Sequence, residues 1–258
     1  MYKKIVFSKK DGVAKIVLNR PESMNSLDLG IVLELEKALN SCETDDEIRA
    51  VIITGSGKAF CAGADLKYQL NVIAGNVTRE REFINHVRKM TDIIHGLSKP
   101  VIAAVNGFAL AGGFEILLAC DLAIAADGVK IGDQHINYGL LPGAGGSQRL
   151  PWLVGIRRAK EILLTGKWLS ASEAEKIGLL NKVVPSEELE DAAMEMATNL
   201  ASKSSFALKE MKRLVNLYNE TNTQIGMDIE SQACIMLVAS EDAHEGVKAF
   251  NEKRDPQF

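Results

Sequence analysis

Several features that would announce a particular chemistry are scarce in this sequence. It has four cysteines, Cys42, Cys61, Cys120 and Cys234, without C-x-x-C spacing or nearby histidines. Neither a zinc site nor a disulfide framework is predicted, and a reducing cytoplasm is the expected location. The four histidines, His86, His95, His135 and His244, make no metal-ligand pair, so no metal is expected. Positive charge is not in excess, since 30 Lys+Arg stand against 34 Asp+Glu for a net charge of −4. A chain without a basic footprint is not expected to grip nucleic acid. With six prolines and no Ser/Gly-rich linker, two independently moving domains have no visible boundary.

Long apolar runs are also few. The N-terminal segment has only three consecutive apolar residues, Ile5-Val6-Phe7, far short of a signal peptide's apolar stretch, and no export is predicted. Val101 to Ala126 is mostly apolar and long enough to cross a bilayer, but it contains Glu115 and Asp121. Each carboxylate at mid-membrane would cost about 2.5–3.5 kcal/mol. Asn106, Gly107, Gly112 and Gly113 break the run further, so it reads as a buried strand, a turn and a buried helix, with no membrane partner. The two buried carboxylates are the notable residues.

What is present is ordinary globular material, with 47% hydrophobic and 25% charged residues, and 258 residues suffice for one large core. Short β-rich runs alternate with helical patterns in the first half: Val13 to Leu18, a helix from about Ser26 to Leu39, Ala50 to Thr54, a helix around Arg79 to His95, then Pro100 to Val105. The pattern predicts an α/β architecture. Beyond Leu122 to Ala126 and a Gly-rich turn at Pro142 to Gly146, most of the chain reads as helix. Ser170-Ala171-Ser172-Glu173 has the form of a capping box, and Met211, Leu214, Val215 and Tyr218 share one helical face. Residues 1–190 are thus read as an α/β core and 191–258 as a helical region packing on its own core or a neighbour's. Met90, Met211, Trp152 and Trp168 are expected to fill the core.

Most chemical motifs fail on inspection. Thr54-Gly55-Ser56-Gly57-Lys58-Ala59 resembles part of a phosphate loop, but Ala59 follows the lysine and Ile52 stands where the first glycine belongs. Gln148 occupies the last glycine position of a dinucleotide fingerprint at Gly143, and there is no G-x-S-x-G elbow. Gly112-Gly113-Phe114-Glu115 remains. Adjacent glycines before a predicted helix allow close approach to free amides, and a buried glutamate beside them has its pKa raised by desolvation, suiting it to proton transfer. Taken alone, helix-packing glycines and an ion-paired glutamate explain the same residues equally well.

A second loop, Lys58-Ala59-Phe60-Cys61-Ala62-Gly63-Ala64-Asp65-Leu66, changes that balance. Together with Gly112-Gly113-Phe114-Glu115 and Pro142-Gly143-Ala144-Gly145-Gly146-Ser147-Gln148-Arg149-Leu150, it strongly resembles the enoyl-CoA hydratase/isomerase (crotonase) family. The likeness runs from Leu18-Asn19-Arg20-Pro21 to Glu245-Gly246-Val247-Lys248-Ala249-Phe250. It implies a crotonase-like spiral of ββα units with a C-terminal helical layer used in assembling homotrimers, often paired into hexamers. It also implies an acyl-CoA thioester as substrate, with no cofactor beyond that coenzyme A.

Carried across by resemblance, the backbone N–H groups of Ala64 and Gly112 form an oxyanion hole for the thioester carbonyl, and Glu115 is the first catalytic glutamate. Ala64, Asp65, Leu66 and Lys67 bind coenzyme A mainly through backbone, and Phe250 and Lys253 contact its nucleotide end, from a neighbouring subunit if not this one. One position departs from the pattern: His135, in Gly132-Asp133-Gln134-His135-Ile136, stands where hydratases carry a second glutamate. An imidazole can accept or donate a proton near neutral pH, so His135 is a candidate for the second catalytic role. In an extended segment Asp133 would share its face. Hydration of a 2-enoyl-CoA is the first expectation. Isomerisation of 3-enoyl-CoA to 2-enoyl-CoA, thioester hydrolysis, decarboxylation, or a weakly active acyl-CoA-binding scaffold are the alternatives.

Overall fold

The computed structural model describes residues 2–73 and 75–258. Among the described residues, ten strands fall into two sheets. The larger contains β1 (Ile5–Lys10), β2 (Val13–Leu18), β3 (Ala50–Gly55), β5 (Val101–Val105), β7 (Leu122–Ala126) and β10 (Lys182–Val184), adjacent in that order. The smaller contains β4 (Ala59–Cys61), β6 (Phe108–Leu110), β8 (Lys130–Gly132) and β9 (Leu169–Ser170). Pairing is parallel except at the hairpin β1–β2 and at β8–β9. From β3 to β8 the chain alternates sheets at every strand, so each turn lays one strand in the large sheet, one in the small sheet, and returns through helix. That repeat is the spiral of ββα units the resemblance implies.

The buried strands of the large sheet explain their own assignment. Val51, Ile52 and Ile53 of β3 and all of β5 are inaccessible, as expected for parallel strands covered on both faces. α1 (Leu29–Thr44) packs against β1 and β2, and α3 (Val77–Gly96) packs on α1, with Leu35, Leu39, Met90 and Ile94 fully buried. α8 (Leu189–Ala201) presents Leu189, Ala193, Ala197 and Ala201 to the sheet; its small side chains let it lie close. The position between residues 190 and 191 therefore falls inside a helix of the core.

Boundaries shift from the sequence reading for identifiable reasons. α1 starts at Leu29, not Ser26, because the Asp28 carboxylate caps it by accepting from the Ile31 amide at 2.9 Å. This frees Leu27 to bridge to Ala64. The apolar run from Val101 holds one more strand than its pattern suggested, β6, before α4 (Gly112–Ala119). The capping box at Ser170 and Glu173 forms as read, opening α7 (Ala171–Lys176).

Between β8 and β9 lie α5 (Gly146–Val154) and α6 (Ile156–Thr165); α9 (Ser205–Asn216), α10 (Thr223–Val238) and α11 (Glu241–Glu252) close the chain. Met90 is core as expected, but Trp152, Trp168 and Met211 are 44%, 45% and 63% exposed. The reason in α9 is visible: its inward contact is Lys212, not Met211, so the apolar stripe of Met211, Val215 and Tyr218 faces out of this chain. Among the described residues, no helix is long and apolar enough to cross a membrane.

Candidate active site

Three neighbouring parallel strands of the small sheet, β4, β6 and β8, end side by side, and the residues that follow them build the site. The chain leaves β4 through Gly63 to Ala64, β6 through Ala111 to Gly112, and β8 directly into Asp133 and His135. Carboxyl ends of parallel strands are where open α/β sheets ordinarily bind ligands.

The first two loops are pressed together. A Cβ on Gly113 would sit 2.0 Å from the Cys61 carbonyl oxygen, so only glycine lets α4 start against β4. Ala111 holds φ 48°, ψ −116°, a sparsely populated conformation for a residue with a side chain, and it turns the chain into the helix. In consequence the amides at the helix start have no i−4 carbonyl, and Gly112 N–H has no protein acceptor among the described residues. Ala64 is similarly free, because its neighbours carry the bridge to Leu27: Leu27 N–H donates to Gly63 at 2.7 Å and Asp65 N–H donates to Leu27 at 2.9 Å. The two amides assigned to an oxyanion hole are thus adjacent and unclaimed.

Glu115 lies in the first turn of the buried helix α4 and is 2% exposed. Its Oε1 accepts from the amides of Ala144 at 2.7 Å and Gly146 at 2.9 Å, which fixes the carboxyl group and leaves Oε2 available. Burial pushes its pKa up; the two amide bonds and the charge of His135 oppose that without cancelling it. Asp121, the other carboxylate singled out in the apolar run, has a different fate. It pairs with Lys212 of α9 at 2.7 Å and accepts from Val101 N–H, also at 2.7 Å, so it ties the C-terminal helices to the sheet.

His135 opens a short 3-10 turn, His135–Tyr138, rather than an extended segment. The pairing with Asp133 forms nevertheless: His135 Nδ1 lies 3.0 Å from both carboxylate oxygens of the buried Asp133, and its amide donates to Oδ1 at 3.2 Å. Burial alone would lower the His135 pKa, but the Asp133 hydrogen bond and charge, with that of Glu115, raise it overall. With Nδ1 engaged, Nε2 is the nitrogen left for the cavity.

Ala64, Gly112, Glu115 and His135 line one cavity of about 290 Å³, whose other walls are largely apolar. A second cavity of about 710 Å³ shares Ala64, Leu66, His135 and Leu140 with it and is also lined by Asp65, Lys67 and Trp168. A small, largely apolar pocket and a larger one therefore meet at Ala64, one of the paired amides. The Asp65 carboxylate is committed, accepting from the amides of Lys67 and Tyr68 and from Arg20 at 2.9 Å, which leaves backbone to meet a ligand there. Phe250 in α11 and Lys253 at its end line neither cavity of the single chain. The sequence reading had missed the amides of Ala144 and Gly146 as holders of Glu115, and Gln69 and Glu80 as polar members of the small cavity. It had also missed Arg20 as support for Asp65. None of these has a local pattern that marks it.

A sequence profile of the enoyl-CoA hydratase/isomerase family matches residues 8–258. The chain belongs to that family. It is 41% identical over 258 residues to a crotonyl-CoA hydratase of Syntrophomonas wolfei, covering all of this chain and 98% of the relative. It is 38% identical over 253 residues to a short-chain-enoyl-CoA hydratase of Clostridium acetobutylicum, covering 97% of this chain and 95% of the relative. Among solved structures, an enoyl-CoA hydratase from Bacillus anthracis superposes with a TM-score of 0.95 at 40% identity, over 99% of each chain. The fold is thus the crotonase-like one, and this enoyl-CoA hydratase/isomerase family member is an enzyme by its kinship.

Proposed function

We propose that this enzyme reversibly adds water to a short 2-enoyl-CoA, with Glu115 and the Asp133–His135 pair dividing the work done by two carboxylates in related hydratases. One observation carries the reading: two unclaimed amides, a fixed carboxyl group and an oriented imidazole meet on a single cavity. The thioester oxygen accepts from the Ala64 and Gly112 amides. As water oxygen adds to the β carbon, its proton passes to the Glu115 carboxylate, and the double-bond electrons move into an enolate whose charge rests on that oxygen. The His135 imidazolium then gives its Nε2 proton to the α carbon. Transfer of the proton from Glu115 to His135 restores both groups, so one water is consumed and nothing else.

The assignment of acid and base follows from the surroundings. Asp133 raises the pKa of His135 and favours the charged, proton-donating form. The two amides on Glu115 Oε1 stabilise its anion against burial. Loss of one oxyanion donor typically costs about 2.7–4 kcal/mol in the transition state. Coenzyme A is part of the substrate and no other cofactor enters the reaction; its pantetheine arm is assigned to the larger cavity along Ala64, Asp65, Leu66 and Lys67. Its nucleotide end is assigned to Phe250 and Lys253 of a neighbouring subunit in a trimer or hexamer, in the cytoplasm.

The test is incubation with crotonyl-CoA, following loss of the conjugated thioester absorbance. Wild type is expected to turn over, and Glu115→Gln to lose a factor on the order of 10² to 10⁴ in kcat. Appearance of that absorbance from a 3-enoyl-CoA, without hydration of crotonyl-CoA, would assign isomerisation instead. Release of free thiol would assign hydrolysis, and tight acyl-CoA binding with no turnover would assign a scaffold.

A further inference from the structure

The acyl cavity carries a charge that the reaction does not use. Its apolar walls are Leu27, Leu66, Phe83, Ile84, Val87 and Leu141, and apart from the reacting pair its polar side chains are Gln69 and Glu80. Both belong to this cavity alone, whereas the junction with the larger cavity is made by Ala64, Leu66, His135 and Leu140. Along α3 the face that lines the cavity runs from Val87 through Ile84 and Phe83 to Glu80, and Thr91, one turn beyond Val87, donates to the Ala144 carbonyl at 2.9 Å while the Ala144 amide holds Glu115. Glu80 stands about 16 Å of helix back from Thr91, at the end of the cavity away from the reacting carboxyl group, where the end of the acyl chain goes.

Glu80 sits in the first turn of α3, whose cap is Asn76. Free amides and the helix dipole at that end favour a negative charge without any cation. Among the described residues no cation pairs with its carboxylate; the neighbouring Arg79 donates instead to the Val72 carbonyl at 3.0 Å. Gln69 can donate or accept and so discriminates little. Glu80 only accepts, and a second anion brought beside it would face it with no Lys or Arg in the lining, the His135 imidazolium being at the junction with the larger cavity.

On the reading that this cavity holds the acyl group of a 2-enoyl-CoA, we infer that Glu80 sets specificity at the far end of the chain. It favours acyl groups ending in a hydrogen-bond donor such as a hydroxyl, and it excludes those ending in a carboxylate. A methyl end is intermediate, gaining from the apolar walls but leaving Glu80 unpaired.

Three 2-enoyl-CoA esters of equal length test this: 2-hexenoyl-CoA, its 6-hydroxy derivative, and the analogue whose sixth carbon is a carboxylate. Wild type is expected to give a kcat/KM at least tenfold lower for the carboxylate than for the methyl compound, with the hydroxyl compound equal to or above the methyl one. Glu80→Gln should shrink the methyl-to-carboxylate ratio at least tenfold, and Glu80→Lys should invert it. Ratios unchanged in both variants would overturn the inference while leaving hydration intact. The same ratios read as Kd for the saturated acyl-CoA counterparts need no turnover, so failure of the hydratase reading is seen separately.

Discussion

Asp133 decides what kind of histidine stands at position 135. Buried and bonded to Nδ1, it fixes the ring of His135, which the proposed mechanism uses as an oriented acid rather than a polar wall. Asp133→Asn keeps an acceptor for Nδ1–H but removes the Asp133 charge that helps to raise the histidine, leaving burial less opposed. The alkaline limb of kcat for crotonyl-CoA should then move to lower pH, with the acid limb, set by Glu115, nearly in place; an unmoved alkaline limb would remove His135 from the chemistry. The pairing also affects stability. Because the folded pKa is raised, this contribution is full below the unfolded value of about 6.5 and is lost as pH rises through the folded value. Putting the missing carboxylate back is not a simple repair. In His135→Glu the new side chain would meet buried Asp133, and two such groups cannot both ionise cheaply. The single variant should hydrate crotonyl-CoA more slowly than wild type, and Asp133→Gln/His135→Glu should recover activity.

At the scale of elements, the proposed oxyanion hole depends on the start of α4 touching the end of β4. A methyl group at Gly113 would collide with the Cys61 carbonyl, which belongs to backbone and has no rotamer to yield. Forced separation of packed backbone costs typically 1–3 kcal/mol and occasionally more. Gly113→Ala should lower the melting temperature and reduce kcat together, because Cys61 leads within three residues to Ala64. The strain at Ala111 is held by the same packing: its amide donates to the Gly132 carbonyl at 3.1 Å, linking the hole to the strand that delivers His135. A melting temperature and kcat both unaltered by Gly113→Ala would show that the two loops are not so coupled.

The whole molecule carries an apolar surface its own core does not cover. Met211 and Val215 on α9, Tyr218 in the 3-10 turn that follows it, Ile235, Met236 and Val238 on α10, and Phe250 on α11 are all more than half exposed. Many large apolar residues on one helical layer suit an interface between copies of this chain. Light scattering on the purified protein should give three or six times the single-chain mass, and Val215→Asp should shift it downward. If Phe250 and Lys253 hold coenzyme A across that interface, the same variant should raise KM for crotonyl-CoA. A monomeric wild type with unimpaired KM would end both assignments.

Much of this could be read in the residues alone. Alternation of β runs with helices indicated the α/β class, since buried parallel strands and amphipathic helices have distinct periods. Gly112-Gly113 and Glu115 stand out as a candidate anion site because close backbone approach and a carboxylate in an apolar run are visible locally, although only the resemblance carried by the Lys58 to Leu66 loop tips the reading. His135 was found as a departure from a pattern, again without coordinates. What pairing, burial and charge do across distance was not legible. Glu115 and Asp121 look alike in sequence, yet one meets two amides from a loop about thirty residues on, and the other meets a lysine of a helix 91 residues away. Nor could helical period tell which stripe of α9 faces its own core. The sequence by itself determined most of the elements and the candidate reactive groups, through local propensity and side-chain chemistry. Tertiary structure alone decided which of those groups share a cavity, because only packing sets the distances on which hydrogen bonds and desolvation depend.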